Sequence, residues 1–121
     1  MNYHKFKKAI TKSWAQDTAY YKDAPHWTPN NPAIGQCAVT ALLFNEFFGG
    51  TIYSGVSNGG IMHFWNTKFG FKIDLTKQQF SNKIDFFNVT RWDRKDLLQT
   101  GDVAERYDLL RKRFLTACEK I

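Results

Sequence analysis

The sequence predicts an α+β fold, and two observations support this. Segments with helical spacing of apolar residues stand at both ends of the chain and just before its middle, and short β-rich segments separated by turns follow the middle one. Strands that follow one another through short turns pair antiparallel, apart from the helices. With 121 residues, 43% hydrophobic and 23% charged, we expect one globular domain over residues 1–121.

The first helix is predicted over residues 2–14. Its apolar side chains recur at intervals of three and four residues: Tyr3, Phe6, Ile10 and Trp14. All three prolines then fall within residues 24–32, which predicts a loop.

A second helix is predicted within residues 33–48. This segment is apolar on nearly every side, a pattern typical of a helix buried at the centre of a protein. Gly49 and Gly50 are suited to end it. Cys37 therefore lies in its first turn.

Three strands are predicted next, at 51–56, 61–66 and 71–75, with a turn at 58–60. If the turn of the second hairpin is centred between residues 68 and 69, His63 lies directly opposite Asp74. Trp65 and Lys72 are then the next pair on the same face.

The remainder of the chain is predicted to end in a helix. Thr76 is expected to cap a helical turn that reaches Phe80. Residues 81–100 are expected to be irregular, apart from a short strand at 86–89. The last helix is predicted from Asp102 to about Cys118, with the apolar stripe Val103, Tyr107, Leu110 and Phe114.

Cys37 is the candidate nucleophile. The positive end of a helix dipole and the free N–H groups of a first turn stabilise a thiolate, and the same N–H groups can hold an oxyanion. Gly35 lets a substrate approach closely, and Gln36 places an amide donor beside the thiol. The alternatives are that Cys37 is a buried structural residue and that Gln36 makes only local hydrogen bonds.

His63 and Asp74 are the candidate partners of that thiol. A carboxylate beside an imidazole fixes its tautomer and raises its basicity, as the third member of a catalytic triad does. Two alternatives remain: His63 is an ordinary half-buried strand residue, and Asp74 caps the turn at Thr76. Trp65, Trp14 and Trp27 are candidate walls of a substrate cleft, with core packing as the alternative.

Several segments resemble known cysteine enzymes. Gly35-Gln36-Cys37 with Val39-Thr40-Ala41 resembles the nucleophile segment of transglutaminases, and His63-Phe64-Trp65-Asn66, Gly70 and Asp74-Leu75-Thr76 resemble the histidine and aspartate segments of transglutaminase-like enzymes. With Asn31-Pro32-Ala33, Phe48-Gly49-Gly50 and Gln79-Phe80, they are also similar to the YunG-like family of small bacterial proteins, over roughly residues 13–80. The resemblance implies a papain-like or transglutaminase-like domain.

In such a domain Cys37 is the nucleophile, His63 the general base and acid, and Asp74 the residue that orients the imidazole. Ala38 departs from the pattern, since transglutaminases usually have Trp after the nucleophile, and the His-to-Asp gap is shorter than in the large members. These departures weigh against acyl transfer to protein lysines. We therefore expect a cysteine-dependent acyl hydrolase or acyltransferase that acts on an amide, ester or thioester of a peptide or small molecule.

Three other functions were weighed against this one. A catalytically inactive binding module of the same fold would recognise a peptide, glycan or nucleic acid. A zinc site would use Cys37, His63, Asp74 and His26, but the chain has no closely spaced ligand pair, so we expect neither metal nor cofactor. A nucleic-acid partner is suggested by the net charge of +6, yet the basic runs at 5–8 and 111–113 are short and favour solvated helix faces.

The chain is expected to be cytoplasmic. No apolar run approaches the length of a membrane span, so no membrane association is expected. Met1 to Lys5 lead into no apolar segment of the kind found in secretory signals. The two cysteines are too few for a disulfide scaffold.

Overall fold

A computed structural model describes residues 1–80 and 83–121. The described helices are α1 (Tyr3–Ser13), α2 (Cys37–Phe48), α3 (Arg94–Leu98) and α4 (Val103–Glu119). The described strands are β1 (Thr51–Ser57), β2 (Met62–Lys68), β3 (Phe71–Ile73) and β4 (Phe86–Trp92). Single 3-10 turns occur at Gln16–Thr18, Ala24–His26 and Lys77–Gln79. The α+β class is confirmed.

The four strands form one antiparallel sheet in the order β3-β2-β1-β4. Strand β2 is therefore an interior strand, flanked by β1 and β3. Helix α2 packs against β2, where the Asn66 side chain donates a 2.9 Å hydrogen bond to the carbonyl of Ala41. On its other sides α2 meets α4 and the Phe6 ring of α1, which explains why it is apolar nearly all round.

The second hairpin has a different register from the one the sequence predicted. The observed pairs are Asn66 with Ile73, Thr67 with Lys72 and Lys68 with Phe71. The two-residue turn is therefore Phe69-Gly70, with φ of +51° and +79°. A two-residue turn of this kind needs positive φ at both positions. Gly70 adopts it without strain, whereas the predicted Lys68-Phe69 turn contains no glycine.

This register moves the partner of each β2 residue by two positions along β3. A shift by an even number leaves every side chain on the face where it was expected. Lys72, for example, still reaches Trp65, with its ammonium nitrogen 4.3 Å from the ring centroid. The predicted opposite pairing of His63 and Asp74 is wrong, although the prediction that they share a face is correct.

Three further expectations needed correction. Helix α2 begins at Cys37, and residues 33–36 belong to the preceding loop. Thr76 occupies the cap position of its turn, but its side chain makes no capping bond. Within residues 81–100, strand β4 begins at Phe86 as expected but continues to Trp92, and helix α3 was not expected. Residues 81–82 of that stretch lie outside the described residues.

None of the helices in residues 1–80 and 83–121 has both the length and the apolar character needed to cross a membrane.

Candidate active site

Cys37 is the first residue of α2 and is half-buried. Within the described residues, the backbone N–H groups of Cys37, Ala38 and Val39 donate no hydrogen bond. The first intrahelical bond runs from the nitrogen of Thr40 to the carbonyl of Gln36. The thiol therefore stands at a helix N-terminus whose amide groups can stabilise negative charge on sulfur or on an adjacent oxygen.

His63 projects from the interior strand β2 and is completely buried. Its Nε2 lies 2.7 Å from Oδ2 of Asp74, which follows the end of β3. The other carboxylate oxygen of Asp74 accepts a longer hydrogen bond, 3.4 Å, from the hydroxyl of Thr76. The expected contact between His63 and Asp74 is thus confirmed. Thr76 donates a hydrogen bond to the Asp74 carboxylate, and Asp74 does not cap the turn that begins at Thr76.

The charge state of His63 follows from opposing influences. Burial, the largest of them, lowers the pKa because it disfavours the imidazolium. Hydrogen bonds with Asp74 and Cys37 raise it, as does negative charge on both groups. Together they raise the pKa of His63 from 6.5 to about 9. A pKa in this range favours the protonated ring at neutral pH, and the Cys37 side chain lies close enough to contribute to it.

Gln79 is a site residue that the sequence did not reveal as one. Its side-chain nitrogen lies 3.3 Å from Nδ1 of His63, and its side-chain oxygen accepts a 3.4 Å hydrogen bond from the N–H of Gly35. Asn31 donates to the backbone carbonyl of Gln79. Gln79 thus connects the imidazole to the loop that leads into the nucleophile helix.

Aromatic rings enclose the imidazole. Phe86 stacks on His63 at 5.2 Å between centroids, Phe80 meets it edge-on at 5.1 Å, and Trp65 lies at 6.2 Å. Gly55 makes room for this cluster, because a Cβ there would lie 2.7 Å from Cβ of Phe86 and 2.9 Å from the Trp65 ring. Trp65 shares the face of His63, as predicted. It is almost fully buried, so it packs beside the imidazole, which was the alternative to the predicted cleft wall.

The structure corrects three other predicted site residues. Gln36, expected to donate to an oxyanion, is fully buried; its amide donates to the carbonyl of Ala15 and accepts from the hydroxyl of Thr18, so it anchors the loop instead. Trp14, expected to wall a cleft, belongs to the hydrophobic core, and its indole donates to Thr40.

Trp27 also makes a structural contact instead of forming the expected wall of a cleft. Its indole donates a 2.9 Å hydrogen bond to the carbonyl of Pro32 and so braces the proline loop. His26 and His4 are exposed. In the part of the chain that the structure describes, no three His, Cys, Asp or Glu side chains are grouped so as to hold a metal ion.

Comparison with known proteins identifies the family. The family model described as YunG protein matches residues 2–119. A protein of Bacillus subtilis (strain 168), described as "Uncharacterized protein YunG", is 32% identical over 108 residues, which are 89% of this chain and 87% of that protein. No solved structure matches the chain. The match extends beyond the segments at 13–80 that first suggested the relationship, and the chain belongs to the YunG family.

Proposed function

We propose that the protein is a cysteine-dependent acyl hydrolase or acyltransferase. The observation that carries this proposal is the position of His63, whose buried ring meets the Asp74 carboxylate at 2.7 Å and lies close enough to Cys37 for that side chain to raise its pKa. A helix-borne thiol, a strand-borne imidazole and a carboxylate are the three parts of a papain-like or transglutaminase-like site, so we extend the proposal to that fold type.

The first half of the reaction is acylation. His63 holds the proton, and Cys37 reacts as the thiolate that the imidazolium stabilises. The sulfur attacks the carbonyl carbon of an amide, ester or thioester, and the N–H groups at the start of α2 stabilise the resulting oxyanion. The bond to the leaving group then breaks, and the leaving nitrogen, oxygen or sulfur takes the proton from His63. The product is an acyl-cysteine thioester.

Deacylation reverses these roles. Neutral His63 removes a proton from water or an amine, which attacks the thioester carbonyl, and the sulfur leaves as the thiolate. Because Nε2 is bonded to Asp74, we assign the exchange of this proton to Nδ1, which also lies 3.3 Å from the side-chain nitrogen of Gln79. Asp74 keeps the ring in the orientation and tautomer that this exchange needs.

The test is hydrolysis of 4-nitrophenyl acetate and butyrate, with the acyl-enzyme trapped by acid and weighed by mass spectrometry. Cys37→Ser should abolish both turnover and the acyl adduct. Cys118→Ser is the matched control, since Cys118 is the other free thiol, is also half-buried and lies near the end of α4. Equal activity of Cys37→Ser and the parent protein would refute the proposal.

The same experiment addresses the inactive binding module. If Cys37 forms no acyl adduct with either ester and is alkylated no faster than Cys118, the thiol is not activated. The enclosed ring of His63 would then be a structural element of a binding domain.

Both cysteines are free thiols, which accords with the cytoplasmic location that we propose.

A further inference from the structure

A cavity of about 560 Å³ adjoins the candidate active site. Its volume falls within the range of small-molecule binding sites. Its walls include three lysines, one carboxylate and two aromatic rings: Lys72, Lys77, Lys83, Asp74, Phe80 and Phe86. Asp74 thus belongs to the cavity wall and to the contact with His63 at the same time.

The cavity carries net positive charge. Among the described residues that line it, the only carboxylate is that of Asp74, which is engaged by the imidazole of His63 and by Thr76. Among the described residues none of the three lysines forms a salt bridge with an Asp or Glu side chain. Their ammonium groups therefore remain available to a bound anion.

Aromatic contacts set the position of one of these charges. The ammonium nitrogen of Lys72 lies 4.3 Å from the Trp65 ring centroid and 5.9 Å from that of Phe86. Cation–π contacts of this kind hold a charge in place without neutralising it. Because Trp65 and Phe86 also pack around His63, the charge of Lys72 is fixed relative to the candidate base.

The hydrophobic part of the wall is shared with the site as well. Phe80 and Phe86 both contact the imidazole, and both line the cavity together with Ile84. A ligand here would meet apolar surface on one side and ammonium groups on another. That combination suits a small organic anion better than a bare inorganic ion.

We propose that this cavity binds a carboxylate or phosphate group of the substrate, so that the protein acts on anionic acyl compounds. That the bound anion belongs to a substrate rests on the proposed function. The binding of the anion itself does not depend on catalysis. An anionic group held here would lie next to the pair His63 and Asp74, and it would select charged acyl compounds over neutral ones of equal length.

Binding is tested first, in the Cys37→Ala variant, so that no turnover interferes. Glutarate and inorganic phosphate are titrated separately while backbone amide shifts are followed by NMR. We expect saturable shifts in residues that line the cavity with at least one of the two anions. The arm that saturates at lower concentration identifies the preferred group.

Charge variants locate the binding. Replacing Lys72, Lys77 and Lys83 with Gln should weaken it at least about tenfold, as the loss of three modest charge contacts predicts. The matched control replaces Lys7, Lys8 and Lys12 of α1 with Gln. These three side chains are exposed, and their replacement lowers the net charge by the same amount. The single variant Lys77→Glu repeats the test without touching Trp65. Equal binding by both triple variants, or no saturable binding at all, would overturn the inference.

Substrate choice is tested second, in the parent protein. Hydrolysis of mono-4-nitrophenyl glutarate should exceed that of 4-nitrophenyl butyrate in kcat/KM, and the Lys72, Lys77 and Lys83 triple variant should lose this preference. The two hypotheses fail in different ways. Ester hydrolysis without anion binding would refute the proposal that the cavity binds an anion. Anion binding without any acyl adduct on Cys37 would refute the proposed enzymatic function and indicate an anion-binding module.

Discussion

Replacing Asp74 with Asn should lower the pKa of His63, because the carboxylate that raises it is removed. In the parent protein the pKa of His63 stands at about 9, against an ordinary value of 6.5. Asn has nearly the same shape but no charge. Burial, the largest influence and one that lowers the pKa, would then be opposed by Cys37 alone. We expect the pKa of His63 to fall by at least about 1.5 units in Asp74→Asn.

The same shift has a consequence for stability. A raised pKa means that the folded state holds the proton on His63 more tightly than the unfolded state does. The resulting contribution to the free energy of unfolding is fully present below pH 6.5 and is lost as the pH rises through about 9. At 1.36 kcal/mol per unit, the difference amounts to about 3 kcal/mol between pH 6 and pH 10. In Asp74→Asn this loss should shrink by about 2 kcal/mol, since the pKa falls by about 1.5 units.

Two measurements check the prediction. NMR titration of the imidazole carbon-bound protons gives the midpoint of His63, whose signal is identified by its absence in His63→Gln. Urea denaturation at pH 6 and pH 10 gives the change in unfolding free energy, and the difference between parent and variant cancels the titration of distant groups. A His63 midpoint that moves by less than about 0.5 unit in Asp74→Asn would refute the reasoning.

Three further predictions concern residues around the site. Gly35→Ala should lower the unfolding free energy by about 2 kcal/mol, because φ is +74° and the new Cβ would lie 2.8 Å from the nitrogen of Tyr20; a urea-denaturation loss below about 0.5 kcal/mol would contradict it. Gln79→Glu should raise the pKa of His63 by about one unit, since a carboxylate replaces the amide 3.3 Å from Nδ1, and the same NMR titration would expose an unchanged midpoint. Arg106→Met should cost about 2–3 kcal/mol in thermal or urea unfolding, because the buried guanidinium donates to two backbone carbonyls and a carboxylate; a neutral result would show that these bonds add nothing.

The helices around the core were predictable because each shows a recognisable apolar pattern. Helix α1 shows its buried stripe directly, and the apolar character of α2 announces a helix covered on several sides. The position of Cys37 in the first turn of α2 followed from that pattern. The shared face of His63 and Asp74 was also predictable, since it depends only on the alternation of side chains along paired strands.

Other features depend on contacts that no local pattern encodes. Strand β4 was predicted only over residues 86–89. It is exposed at five consecutive positions, 87–91, and Asn88 has φ of +53°, so it lacks the alternation of buried and exposed residues that would have indicated its full length. The Gln36 side chain is held by hydrogen bonds with Ala15 and Thr18, which are distant from it in the sequence. Gln79 reaches His63 only because the turn after β3 folds back over the sheet.

The aromatic enclosure of His63 implies that ionic strength acts on this protein in two separable ways. Exposed ion pairs such as Lys112 with Asp108 are open to dissolved ions, which screen charges over about 10 Å at 0.1 M salt. His63 is fully buried and the Asp74 side chain is only 10% exposed, so this screening acts on their contact much less. Added salt should therefore weaken the capture of an anion by the exposed lysines while the protonation of the buried pair stays as it was. A salt series thus separates recognition from proton chemistry without any mutation.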